Sequence, residues 1–129
     1  MAQTLLRGNP VQTAGDLPTI GAAAPAFTLK DAKLQAVSLA DFIGKKVVIS
    51  IFPSIDTPTC ATSTRKFNEQ AAGKTNTVVL TVSEDLPFAL GRFCGAEGIE
   101  NVHTLSAFRS SFGKDYGVEM TTGPLTGLC

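Results

Sequence analysis

The chain has 129 residues, 43% of them hydrophobic, and its 11 Lys and Arg balance 11 Asp and Glu. That length and apolar content suffice for one globular domain without disulfide or metal staples and exclude a disordered chain. Zero net charge without a basic run sets aside nucleic-acid binding and anchoring to a membrane surface, and the longest uncharged apolar stretch, residues 47–55, is far below the ~20 residues that span a bilayer.

Residues 1–8 show no basic segment leading into a long apolar run, so no signal peptide is expected and a cytoplasmic location is the default. Residues 3–7 and 11–13 read as a short hairpin around Gly8-Asn9. Gly, Ala and Pro dominate residues 15–25, which read as an irregular connection. Residues 27–29 and 37–39 suggest two brief extended pieces, while Ser38 with Asp41 three positions later offers a helical turn before Gly44 as an alternative.

Residues 47–52 are β-branched and almost continuously apolar, the pattern of a strand covered on both faces, and are expected to form the central strand. Residues 60–72 lack Pro and Gly and end at Gly73, so they predict a helix of about a dozen residues. A second buried-type strand follows over 76–83. Strand, helix and strand make a βαβ unit, right-handed by the general rule. A second helix is expected over 86–93, where Leu86, Ala89, Leu90 and Phe93 recur at helical spacing and Gly95 can stop it. A short strand over 102–105 and a helical turn within 108–115 complete an α/β class.

The turn after the first of these strands reads Pro53-Ser54-Ile55-Asp56-Thr57-Pro58-Thr59-Cys60. Thr57 suits an N-cap and Pro58 a first helical residue, which sets Cys60 in the first turn near unpaired N–H groups and the positive end of the helix dipole. A thiolate gains from that position, and a thiolate is the reactive form of cysteine. A small buried hydrophobe is the alternative for Cys60. A zinc site from Cys60, Cys94, Cys129 and His103 lacks the close cysteine pairs usual in such centres. A thioredoxin-type redox turn would need a second cysteine just after Cys60, and Ala61 to Ser63 supply none. A non-catalytic binding module is the competing function, one that would survive Cys60→Ser.

The loop places Pro53, then Thr57 four residues on, then Cys60 three after that, at the carboxyl end of an apolar strand. Around it stand Phe52-Pro53-Ser54-Ile55-Asp56-Thr57, Arg65-Lys66-Phe67-Asn68, Asp85-Leu86-Pro87-Phe88-Ala89, Arg92-Phe93-Cys94-Gly95-Ala96-Glu97-Gly98, Gly123-Pro124-Leu125 and Gly8-Asn9-Pro10-Val11. Together these runs resemble the bacterial thiol peroxidase branch of the peroxiredoxins over essentially the whole chain. The resemblance implies a thioredoxin-like α/β fold with an N-terminal hairpin. It implies Cys60 as the peroxidatic cysteine, Cys94 as the resolving one, Thr57 as the hydroxyl that orients peroxide, and Pro53 as a shield for the sulfur. It also implies a peroxide substrate, a thioredoxin or similar dithiol as reductant, a homodimer, and no cofactor or metal.

Thr59 departs from the family, which usually has an apolar residue before the cysteine. The family's active-site arginine falls on a strand beyond the Gly123-Pro124-Leu125 segment, past Cys129, and none of Arg65, Arg92 and Arg109 matches it. The resemblance therefore implies a single domain over 1–129 lacking a final strand pair and helix, with residues 47–52 left as an exposed edge. Low stability and weak or absent peroxidase activity are the expectations for such a chain.

Overall fold

The computed structural model describes residues 2–129. Strands β1 (Gln3–Leu6) and β2 (Asn9–Gln12) pair antiparallel. Leu6 faces Asn9, so the two-residue turn is Arg7-Gly8, one position before the Gly8-Asn9 expected. Both residues have positive φ, 51° and 82°, as the tight hairpin turn that matches strand twist demands. Strands β3 (Thr28–Asp31) and β4 (Ala36–Ser38) form a second antiparallel pair. The alternative at Ser38 holds as well, since a short 3-10 helix spans Leu39–Phe42 and Ser38 N–H donates to Asp41 Oδ2 at 2.9 Å.

Next come β5 (Lys46–Ile51), α1 (Pro58–Ala71), β6 (Thr77–Ser83), α2 (Pro87–Glu97), β7 (His103–Ser106) and α3 (Phe112–Asp115). The larger sheet runs β4-β3-β7-β6-β5, with β5, β6 and β7 mutually parallel and β3 antiparallel to β7. Helix α2 continues a turn beyond the expected stop at Gly95. It ends at Gly98, whose φ of 65° supplies the left-handed residue that closes a helix.

The central-strand expectation for residues 47–52 is corrected. Among the described residues β5 pairs only with β6 and forms the sheet's edge, with Val48 40% exposed. The buried strand is β6, whose last five residues are all buried. A continuous apolar run signals coverage on both faces, but it does not specify a hydrogen-bonding neighbour on each side.

Alternation along β6 divides the interior in two. Leu80 and Val82 face a cluster with Phe27, Leu29, Leu105, Phe112 and Tyr116, where Phe112 and Tyr116 stack at 4.4 Å. Val79 faces the opposite cluster, built from Phe52, Ile55, Cys60, Leu90, Phe93 and Ile99 under α1 and α2. No helix among the described residues is long and apolar enough to cross a membrane.

The segment after α3 folds back on the N-terminal hairpin without regular structure. Thr13 bridges Met120, Thr121 N–H donates to Gln12 O at 2.8 Å, and Met120 N–H donates to Leu128 O at 2.8 Å. Gly123 has a φ of 86°, and a Cβ there would stand 2.8 Å from Val11 Cγ1. Cys129, for which the sequence offers no anchoring element, is thereby held in a buried position.

Candidate active site

Helix α1 starts two residues before Cys60 because its cap lies there. Thr57 is extended (φ −81°, ψ 144°), and its Oγ1 accepts the backbone N–H of Cys60 at 3.3 Å. The same hydroxyl donates to Ser54 O at 3.1 Å. Pro58 takes the first helical position, where a missing N–H costs nothing. Cys60 is therefore the third residue of a 14-residue helix, within the turn where the dipole favours negative charge. It is 8% exposed and packs in the cluster with Phe52, Ile55 and Phe93. The nucleophile and the small-hydrophobe readings thus describe one environment: a thiol in the apolar cluster, carried on the polar end of a helix. Pro53 is half-buried two residues after β5, in the loop that carries Thr57.

One residue of this loop's framework escaped sequence reasoning. Asp85, just after β6, accepts hydrogen bonds from the Ser54 hydroxyl (2.7 Å), Ile55 N–H (2.7 Å) and the Ser83 hydroxyl (2.7 Å). Its backbone carbonyl accepts the Ser106 hydroxyl at 2.5 Å. The run Asp85-Leu86-Pro87 reads only as a helix entry, and its loop partners Ser54 and Ile55 lie 31 and 30 residues away in the chain, beyond any local pattern.

Cys94 lies on α2, half-buried against the cluster that holds Cys60, with Sγ 3.4 Å from Thr104 Oγ1 on β7. Both sulfurs are free thiols. Two ion pairs join the segments bearing them: Arg92 with Asp56 at 2.6 Å, and Arg65 with Glu97. Arg109 lies over the Phe108 ring, so each of the three arginines near the site's sequence motifs is otherwise engaged.

Cys129 stands apart. Its thiol donates to Glu84 Oε1 at 3.7 Å, and burial, followed by the charge of Glu84, its hydrogen bond and Glu119, pushes the thiol up to about 12. Burial also raises the Glu84 carboxyl, with Glu119 adding repulsion and the Cys129 hydrogen bond opposing. Among the described residues no group of three or more His, Cys, Asp and Glu could hold a metal ion.

The Redoxin family profile matches residues 19–129. The thiol peroxidase of Mycobacterium tuberculosis is 59% identical over 128 residues, covering 99% of this chain and 77% of that protein. The thiol peroxidase of Corynebacterium glutamicum is 56% identical, with 99% and 78% covered. Among solved structures, a peroxiredoxin-like protein from Aquifex aeolicus superposes with a TM-score of 0.89 at 40% identity, covering 98% of this chain and 74% of that one. A thiol peroxidase from Chromobacterium violaceum gives 0.81 at 27% identity, with 93% and 70% covered. The class is thus that of the redoxins, with the thioredoxin-like fold of peroxiredoxins.

Within that class the chain belongs to the thiol peroxidase family, enzymes that reduce peroxides at the expense of thiols, and it is shorter than these relatives.

Proposed function

We propose that Cys60 is the peroxidatic residue and Cys94 its resolving partner. The observation that carries this is the Thr57 to Cys60 cap at 3.3 Å, which sets Cys60 in the first turn of α1 and holds the Thr57 hydroxyl against the Cys60 backbone N–H. The Cys60 thiolate attacks the terminal oxygen of hydrogen peroxide or an organic hydroperoxide. The S–O bond forms as the O–O bond breaks, and the leaving oxygen takes up a proton to depart as water or alcohol. Sulfur is oxidised to sulfenic acid. Thr57 orients the peroxide, and Pro53, half-buried in the same loop, limits water at the sulfur.

The Cys94 thiol then attacks the sulfenic sulfur, forming the disulfide and releasing water. An external dithiol of thioredoxin type reduces it, returning both thiols. Such a cycle suits a reducing compartment, the cytoplasm, where a disulfide is transient. No cofactor enters any step.

The enzyme works as a homodimer in this reading. Supporting a second copy as the partner is a cleft lined by Leu34, Leu86, Phe88 and Phe108, all exposed and lying beside β3 and the end of β7. Phe88→Glu then shifts sedimentation toward the monomer. An unchanged sedimentation coefficient would remove this part of the proposal.

Peroxide consumption with a dithiol donor tests the core of it. Cys60→Ser abolishes turnover. Cys94→Ser permits one oxidation and leaves a sulfenic acid that dimedone traps at residue 60. Turnover persisting in Cys60→Ser would refute the assignment.

A further inference from the structure

We propose that Asp85 is a positioning residue for the peroxide reaction, acting through Ser54 and Thr57 on Cys60; this rests on Cys60 being the reacting thiol. The hydrogen bonds form an unbroken sequence. The Ser54 hydroxyl donates to Asp85 Oδ1, the Thr57 hydroxyl donates to Ser54 O, and Cys60 N–H donates to Thr57 Oγ1. Asp85 also takes Ile55 N–H on its other oxygen, so it holds two consecutive loop residues at once. Ser54 Oγ in turn accepts Asp56 N–H at 3.1 Å.

The anchor is itself fixed. Ser83 at the end of β6 donates to the carboxylate, and Ser106 at the end of β7 donates to the Asp85 carbonyl. The rigid parallel strands thereby set the height of the loop above the sheet. Because Thr57 spends its proton on Ser54 O and a lone pair on Cys60 N–H, its orientation depends on where Ser54 stands. Without the carboxylate, Ser54 and Ile55 lose the acceptor that fixes the loop, and Thr57 no longer has a defined place relative to the sulfur. Hydrogen bonds to a charged acceptor are the stronger kind, which suits Asp85 to this task.

The test compares two reagents at Cys60 in the full chain carrying Cys94→Ser, with products read by mass spectrometry. Hydrogen peroxide needs an oriented oxygen, and iodoacetamide needs only an accessible thiolate. Asp85→Ala is expected to slow the peroxide reaction by about 10–100-fold, the scale of a small misplacement of reacting groups, while iodoacetamide reacts at an unchanged or higher rate. Asp85→Asn, which keeps the shape and one acceptor oxygen, recovers most of the loss. Adding Thr57→Val to Asp85→Ala costs little more, because both act through one hydroxyl.

Ser54→Ala gives the same selective loss and serves as the second probe where Asp85→Ala folds poorly. Equal slowing by both reagents, or a wild-type peroxide rate in both Asp85→Ala and Ser54→Ala, overturns the proposal. The Cys60→Ser control separates the two claims. If it still consumes peroxide, the reactive-thiol reading has failed; if it is dead while the Asp85 and Ser54 variants react normally, only the positioning role has.

Discussion

Arg92 Nη2 lies 2.6 Å from Asp56 Oδ1, so the helix bearing Cys94 is tied to the loop bearing Thr57. Both side chains are largely exposed, at 63% and 60%, and such a pair contributes about 0–1 kcal/mol. A tie that weak holds the thiol state without blocking rearrangement. Cys60 is held by its cap and Cys94 sits against Thr104, so the proposed disulfide between them is expected to open both helix segments. In the oxidised protein, amide exchange is expected to accelerate over residues 57–65 and 90–98 relative to the reduced form. Equal protection in the two states would count against this opening. Arg92→Gln leaves the melting temperature nearly unchanged and speeds disulfide formation after a peroxide pulse.

Thr57 caps α1 and, in the proposed mechanism, orients the peroxide; two substitutions test whether its hydroxyl carries both roles. Thr57→Ser keeps the acceptor for Cys60 N–H and the donor to Ser54 O, so stability and peroxide reactivity stay close to those of the parent. Thr57→Val keeps the shape and loses both bonds, costing about 1 kcal/mol of stability as an N-cap loss and most of the peroxide reactivity. Thermal melts and single-turnover oxidation of Cys60 measure the two effects. A Val variant as reactive as the parent would show that the hydroxyl has no part in the chemistry.

The pair Glu84 and Cys129 gives a pH dependence with a defined sign. Glu84 has its folded-state pKa raised, first by desolvation and then by Glu119. Its protonated form is favoured in the fold, so its contribution to stability is fully present below the unfolded carboxyl range and is lost as pH rises through the folded pKa. Glu84→Gln keeps an acceptor for the Cys129 thiol. It is expected to raise the melting temperature at pH 7 and leave it unchanged near pH 4. A variant no more stable than the parent at pH 7 would contradict the burial argument. Cys129, pushed up to about 12, stays a thiol at pH 8, so iodoacetamide leaves it unmodified in the folded protein and labels it in urea.

The open edge of β5 invites association. Its outer N–H and C=O groups have no strand partner among the described residues, and a groove of about 260 Å³ lined by Val48, Phe67, Ala71 and Val79 runs beside it. Apolar edge strands pair readily with other chains. Val48→Lys, at a position already 40% exposed, is expected to reduce light scattering on concentration without lowering the melting temperature. Scattering identical to the parent's would show that association uses another surface.

Much of this molecule is written locally. The cap at Thr57, the proline at the first helical position and the cysteine in the first turn follow from steric and hydrogen-bonding preferences acting over four residues, so the start of α1 was legible. The βαβ unit was legible too, because strand and helix periodicities differ and the two strands are strongly apolar. The hairpin turn falls one residue earlier than Gly8-Asn9, with Arg7 and Gly8 both at positive φ and Asn9 paired with Leu6. Helix α2 outran Gly95, since a glycine in an otherwise regular helix costs only about 1 kcal/mol, less than the turn it would have ended.

The sequence by itself determined the chemistry: one thiol at a helix start, a second on the next helix, and the motifs that mark a thiol peroxidase. Only the tertiary structure decided what surrounds that chemistry. It brought Asp85 under Ser54 and Ile55 and buried Cys129 beside Glu84. Those relations join residues about 30 or more positions apart. Local preference is blind at that distance, and a shared sheet creates them.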